Sequence, residues 1–283
     1  AGKSAQFPFH FWLPKAMAAP TPVSTYLHSA AMVKLGIFLI IRVEPLLKAS
    51  PLWEPLLIGT GFCTMLLGAF FALGSHKIKA ILAYSTIAQL GFIIGYFGLA
   101  YNQPFCFDNF QVLNHVLYKG CLFMVAGIVI GITKQNDIRN LGGLISKIPL
   151  AAVAFIVAAA SMAGLPGTTG FIAKELMVEQ VLNMTSNFKW LLLLVLSLKS
   201  IFLFACALRL IISIFFSKQK VATLYSPKIL YQMIPGLLAI TLLFFGFRPG
   251  LFNTHFIISR PETFISIFAW CGGFFVYNYL NKR

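Results

Sequence analysis

The sequence predicts an all-α polytopic membrane protein, and three observations carry that class. Only 10% of the 283 residues are charged while 59% are hydrophobic, whereas a soluble domain carries about 25% charged residues. The apolar residues gather into nine runs, most of them near the ~20 residues that cross a bilayer as a helix. The loops between the runs are short and free of low-complexity tracts, so residues 1–283 read as one membrane domain. In hydrocarbon every backbone N–H and C=O needs a partner inside the protein, which makes helices the spanning elements for runs of this length. The net charge of +15 fits Lys and Arg gathered in cytoplasmic loops; the lipid bilayer, and no nucleic acid, is the expected surrounding.

The runs follow one another as nine segments. Segment A, about Ser4 to Leu13, is short and ends in a proline-rich turn from Pro14 to Pro22. Segment B covers Val23 to about Val43, C Trp53 to Leu73, D Ala80 to Ala100 and E Phe110 to Thr133. Segment F, about Ile148 to Met184, is too long for one straight span and too broken for a regular helix, because Gly164, Pro166, Gly167 and Gly170 interrupt it. G runs from Trp190 to Phe216, H from Ile229 to Phe247 and I from Thr263 to Leu280.

Loop charges set the expected orientation. Lys15, Lys77, Lys79, Lys134, Arg139, Lys147, Lys218, Lys220, Lys228, Lys282 and Arg283 fall on one side of the segments; Arg42, Lys48, Lys189, Arg248 and Arg260 fall on the other. The positive-inside rule places the larger group, and with it the C-terminal Arg283, in the cytoplasm. The chain opens on Ala1-Gly2-Lys3 without an initiator Met, a signal peptide or a helix cap, and so reads as a fragment of a longer protein.

Ionisable residues at membrane depth are costly and mark functional positions. Lys174 and Glu175 follow the break in segment F, where irregular backbone is tolerated only beside protein or a wet cavity. Lys3, preceded by Gly2, holds the same relative place in segment A; two interrupted segments with matching polar groups point to an internal repeat with a midplane site. A lysine at the start of a half-helix faces the positive end of the dipole, a setting that eases the loading and release of a proton. The plainer reading of either lysine is a side chain that snorkels to the interface.

Segment E carries Gln111, His115 and Lys119 at i, i+4 and i+8, one polar stripe on an otherwise apolar helix. His titrates near neutral pH and relays protons to a neighbouring lysine; interhelical hydrogen bonding alone is the competing reading. Segment B carries His28 and Lys34, which six residues apart point about 120° away from each other and so face two neighbouring helices. His28 also reads as a packing residue. Glu175 points about 100° round the helix from Lys174, placed to pair with a lysine on another helix. Lys199 lies mid-way along segment G, Arg209 is near enough to its end to snorkel, and Tyr84, Ser85, Thr86 and Gln89 form a polar band in segment D.

No Walker loop, haem or iron–sulfur spacing, nucleophile triad or hard-metal carboxylate cage is found, so no cofactor and no metal is expected. The five cysteines, Cys63, Cys106, Cys121, Cys206 and Cys271, show no CxxC and read mostly as buried free thiols.

Several stretches resemble a known family. Lys3 to Pro14 (KSAQFPFHFWLP), Ala19 to Ser24 (APTPVS), Leu27 to Ala30 (LHSA) and Ile81 to Gly91 (ILAYSTIAQLG) are similar to the antiporter-like membrane subunits shared by respiratory complex I, membrane hydrogenases and Mrp-type cation/proton antiporters. Asn114-His115 with Lys119-Gly120, and Gly164-Leu165-Pro166 with Gly170-Phe171 and Lys174-Glu175, resemble the family's histidine–lysine helix and its second broken helix. His10 to Pro14 and Met32-Val33-Lys34 look most like MrpA, the largest component of the Mrp Na⁺/H⁺ antiporter. The resemblance implies part of an inverted-repeat antiporter fold in which segments A to H are helices seven to fourteen of a fourteen-helix module and the N-terminal half of the first repeat is missing. It implies a proton-translocating component of a multi-subunit Na⁺/H⁺ antiporter in a bacterial inner membrane, with other subunits, protons and Na⁺ as partners. A proton-pumping component of complex I or a hydrogenase is the alternative, and a structural component that transports nothing is the third. It implies Lys3 as the lysine of the first half-channel, Lys119 as the connecting lysine, Lys174 as the lysine of the second half-channel, and His28 and His115 as relays; with Lys34 and Glu175, taken from the residues themselves, these make up the expected proton pathway. Two departures stand out. Gln111 takes the place of a second histidine one turn before His115, and Gly167 takes the place of a second proline, which would loosen the break.

Overall fold

The computed structural model describes residues 1–30, 32–47, 49–99, 106–184, 188–218, 220–221, 227–248 and 261–281. Lys48, Arg260, Lys282 and Arg283, used in the orientation argument, lie outside the described residues, as does the side chain of Cys106. Among the described residues the regular elements are helical: α1 (Trp12–Lys15), α2 (Thr21–Thr25), α3 (Met32–Leu47), α4 (Trp53–Gly74), α5 (Ile78–Leu99), α6 (Cys106–Thr133), α7 (Pro149–Ala163), α8 (Thr169–Leu182), α9 (Lys189–Ile211), α10 (Ile229–Gly246) and α11 (Pro261–Asn281). Six of them, α4, α5, α6, α9, α10 and α11, are long and apolar enough to cross a membrane. Segment B is α2 and α3 joined through a π-type turn at Tyr26–Ala30, and segment F is α7 and α8. Segment A differs from the expectation: residues 1–11 pass through successive turns, and helix begins only at Trp12. Pro8 removes a donor that a helix would need, and the chain is anchored instead by Phe7 N–H donating to Thr64 Oγ1 (2.9 Å) and Trp12 Nε1–H to Gly2 O (2.9 Å).

Two apolar clusters fill the bundle, with a polar belt between them. One gathers Ile78–Ala83 of α5, Cys121–Ile132 of α6, most of α7, and Cys206–Leu210 of α9. The other gathers Leu57–Met65 of α4, Ile87–Tyr96 of α5, Met177–Val181 of α8 and Leu192–Leu196 of α9. Interleaved with these clusters along α5, α6 and α9 are the buried polar residues Ser85 and Gln89, His115 and Lys119, and Lys199. The outward faces carry exposed Phe70, Val153, Leu194, Leu237 and Phe268, as hydrocarbon-facing surfaces require.

The α4–α5 pair sets the closest packing. A Cβ at Gly61 would stand 2.3 Å from Gly95 N, one at Gly68 2.5 Å from Ala88 N, and one at Gly91 2.5 Å from Met65 N. Small residues at a helix seam let two backbones approach, which is what drives association where no water is available to be expelled.

One end of the bundle is tied together by its loops. Ile78 N–H donates to Asn136 O (2.8 Å) and Ile138 N–H to His76 O (3.0 Å). Asp137 pairs with Arg139 (2.6 Å), whose hydrogen bonds hold the carboxyl down at about 2. Lys220 Nζ donates to Arg139 O. Arg209 does not snorkel: it donates to Leu73 O and to His76 Nδ1, and burial together with the Arg209 charge lowers the His76 pKa. The α4–α5, α6–α7 and α9–α10 loops, with their basic residues, thus share one end.

The break between α7 and α8 is closed by its own side chains. Gly164, at φ +72, ends α7 in a left-handed turn in which Gly164 N–H donates to Ser161 O and Leu165 N–H to Ala160 O. Ser161 Oγ then accepts the Gly170 N–H (3.1 Å) and donates to Asn114 Oδ1 on α6 (3.2 Å), which also accepts from Thr169 Oγ1 (2.7 Å). Gly170 is obligatory, since a Cβ would stand 1.7 Å from Ser161 O. Gly167 takes φ +79, a value closed to proline, and packs under the Phe247 ring.

Two outcomes check this packing, each in the whole assembly purified in detergent. Gly68→Leu should lower the melting temperature by an amount corresponding to about 1–3 kcal/mol of overpacking, while Gly59→Leu, with open space around it, should leave it unchanged. Asn114→Leu strands the Ser161 and Thr169 hydroxyls and should cost about 1–3 kcal/mol, read in the same thermal scan; an unchanged midpoint would show that the hub does not hold the break.

Candidate functional site

The belt contains more buried basic groups than any feature of helix packing requires. His115 and Lys119 are fully buried on α6, His28 is fully buried in the turn before α3, and Lys34 and Lys199 are 8% exposed. The Lys174 side chain is half-buried, but its Nζ is enclosed. Burying a lone ammonium is unfavourable by several kcal/mol or more, so such groups persist only where they are paired, hydrogen-bonded or put to use.

Each side chain is positioned by identifiable contacts. Lys119 reaches from α6 to α5, donating to Leu82 O (2.9 Å) and Ser85 Oγ (2.5 Å). His115 packs against the Tyr118 ring at 5.4 Å and His28 stacks on Phe123 at 5.1 Å, and neither imidazole has a hydrogen-bond partner among the described residues. Lys34 Nζ and Lys174 Nζ also have no hydrogen-bonding partner among the described residues. Lys174 leaves α8 and turns back over the break, with Cδ 3.2 Å from where a Gly164 Cβ would be and Nζ 4.9 Å from the Trp270 ring centroid. Glu175 accepts a hydrogen bond from Ser266 Oγ of α11.

Charge interactions link the groups into a file. His28 feels Lys34 and Lys119; His115 feels Lys34, Lys119, His28 and Lys199; Lys199 feels Lys174; Lys174 feels Glu175. A small cavity joins Lys174 and Lys199 and is lined also by Gln89, Gln111, Asn114 and Ser161. Gln111 donates to Ala173 O (2.6 Å), which ties the stripe on α6 to the start of α8. Basic donors beside polar walls and unpartnered imidazoles can hold and pass protons; among the described residues no group of His, Cys, Asp or Glu could hold a metal ion.

Of the sequence-predicted residues, six come together: His28, Lys34, His115, Lys119, Lys174 and Glu175. Lys3 does not join them; it is exposed on a turn at the start of the chain. Asn114, Ser161 and Trp270 are partners of the site that the sequence reading lacks. Asn114 carries a signal, since it lies between Gln111 and Tyr118 on the same stripe, but Trp270 is far away in sequence and only the packing of α11 on α8 and α9 brings it over Lys174. The thiols divide: Cys121 and Cys206 are buried as expected, whereas Cys63 and Cys271 are exposed on helix surfaces.

Comparison with known proteins agrees with this architecture. Residues 1–202 match the family described as NADH:quinone oxidoreductase/Mrp antiporter, transmembrane. The chain is 46% identical over 181 residues to the A/B subunit of a probable K⁺/H⁺ antiporter of Rhizobium meliloti, covering 64% of this chain and 18% of that one. It is 35% identical to the A1 subunit of a Na⁺/H⁺ antiporter of Staphylococcus aureus, covering 92% of this chain and 35% of that one. Its structure superposes on a chain of the Mrp complex from Dietzia sp. DQ12-45-1b with a TM-score of 0.85 and 32% identity, covering 98% of this chain and 32% of that one. The chain thus spans about a third or less of the length of these proteins. A helix broken at Gly164, a lysine folded back over the break and a matching family model across residues 1–202 together establish that this multi-pass membrane chain belongs to the NADH:quinone oxidoreductase/Mrp antiporter transmembrane family.

Proposed function

We propose that the chain is part of the proton-translocating MrpA-type component of a multi-subunit monovalent cation/proton antiporter, a transporter and not an enzyme in its own right. One observation carries the reading: basic side chains from separate elements, the buried Lys34, His28, His115 and Lys119 and the half-buried Lys174 with Glu175 beside it, are collected in the polar interior of the bundle. Helix packing gives no reason to collect like charges there. A proton moving along such a file changes the charge felt by its neighbours, and that change is what couples one step to the next. Na⁺ is the proposed counter-ion, in line with the name of the Staphylococcus relative; K⁺ follows from the name of the Rhizobium relative and is decided by the same assay. The whole protein would work with other subunits in a bacterial inner membrane, with the loop-rich basic end and the C-terminus in the cytoplasm. Lys3 would serve the first half-channel together with sequence outside this chain.

The test is antiport in inverted vesicles that contain the full complex, with variants matched for assembly, following collapse of ΔpH on addition of Na⁺ or K⁺. Lys174→Ala and Lys119→Ala should each reduce cation-dependent proton flux by about tenfold or more, the scale on which loss of a proton-transfer group acts. Wild-type flux in both would refute the pathway. His28→Phe keeps the stack on Phe123 and removes only the titrating nitrogens, so it should also reduce flux; full retention would make His28 a packing residue. A wild-type complex that ignores both cations would move the reading to a redox-driven pump.

A further inference from the structure

We propose that Lys199 is a further proton-carrying residue, joining Lys119 to Lys174 by way of α5 and sharing a single proton with Lys174; this rests on the proton-pathway reading above. Lys199 lies near the middle of α9, 8% exposed. Its Nζ donates to Gln89 Oε1 (3.3 Å) and sits 3.8 Å from the centroid of the Phe92 ring. Lysine has three N–H groups, and one amide oxygen with one aromatic face is a thin solvation shell for a permanent ammonium. No carboxylate forms a salt bridge with it among the described residues.

Two placements make Lys199 a connector. First, Ser85 and Gln89 are one turn apart on the same face of α5; Ser85 holds Lys119 and Gln89 holds Lys199. Second, Lys199 and Lys174 line the same two cavities. The first is small and is walled also by Gln89, Gln111, Asn114 and Ser161, and the second has Ser197, Ser200 and Ser266 among mostly apolar neighbours. The polar walls of the first suit a single bridging water.

The step is a proton transfer. An N–H bond of the Lys174 ammonium breaks and its electron pair stays on that nitrogen, while the lone pair of Lys199 forms the new N–H bond through a bridging water or hydroxyl, and the positive charge moves with the proton. The titratable groups that interact with Lys199 are Lys174 on α8 and His115 on α6, with Glu175 beside Lys174; among the described residues α5 places neutral Gln89 and Phe92 against it, α7 neutral Ser161 and Met162 and α11 neutral Ser266 and Ala269 in the shared cavities, and α4 carries Glu54 in its first turn. Like charges in one low-dielectric space disfavour the doubly protonated pair, so a proton on one lysine is excluded from the other.

The experiment uses the full complex in inverted vesicles, with Lys199→Gln and Lys199→Arg matched for assembly and flux recorded across pH. Lys199→Gln should lower flux by about tenfold. Lys199→Arg, whose charge is permanent, should do the same while restoring any structural need for a cation. Wild-type flux and an unaltered pH profile in both variants would overturn the proposal. A second readout needs no transport: side-chain nitrogen NMR of labelled lysine in the complex, with Lys199→Gln identifying the Lys199 signal. The Lys199 titration should shift when Lys174→Met is introduced, and an unmoved titration would overturn the shared proton. A wild-type complex without cation-dependent flux would refute the proposed function, while the titration would still decide whether the two lysines share a proton.

Discussion

The cost of burying a positive charge organises this molecule. An ammonium or imidazolium inside packed apolar helices loses its hydration and regains it only from whatever oxygens, rings or water the protein brings near. The belt residues are provided for unequally: Lys119 has a carbonyl and a hydroxyl, Lys199 an amide and a ring, and Lys174 the Trp270 face. That graded provision is what the proposed proton pathway requires, and it differs from a set of fixed ion pairs. The ion pair of Asp137 with Arg139 lies outside the belt, at the loop-rich end.

The broken helix follows from the same constraint. Opening the backbone between Ala163 and Thr169 frees N–H and C=O groups at a depth where water is scarce. Ser161, Thr169 and Asn114 supply the missing partners, and Asn114 joins the break to the stripe on α6. The glycines there are used sterically: Gly170 lets α8 start against Ser161 O, and Gly164 leaves room for the Lys174 chain to fold back. Gly167 does not leave the break open, as a missing proline suggested, but is packed tightly by Phe247 and Gly246.

Much of the fold is legible in the sequence because hydropathy and helix length are local properties. Segments C, D, E, G, H and I coincide with α4, α5, α6, α9, α10 and α11 to within a few residues, since an apolar run has few ways to satisfy its backbone in lipid. Segment A departs from helix for an equally local reason: its hydropathy suits a helix, but Pro8 in its middle outweighs that. The position of Arg209 is not legible, because its exposure depends on the α4–α5 turn, which is remote in sequence.

The sequence by itself determined the helical membrane class, the break in segment F, and the stripe of Gln111, His115 and Lys119, because periodicity places residues on a face whatever that face meets. It also singled out Lys34, His28 and Lys174 as ionisable groups within apolar runs. Only the tertiary structure decided which face meets which. It set Lys119 against Ser85, Lys199 beside Gln89 within the Lys174 cavity, and Trp270 over Lys174. Those contacts depend on how close two helices can come and how they are rotated, and that is set by the summed packing of small residues such as Gly61, Gly68 and Gly91, which no single segment encodes.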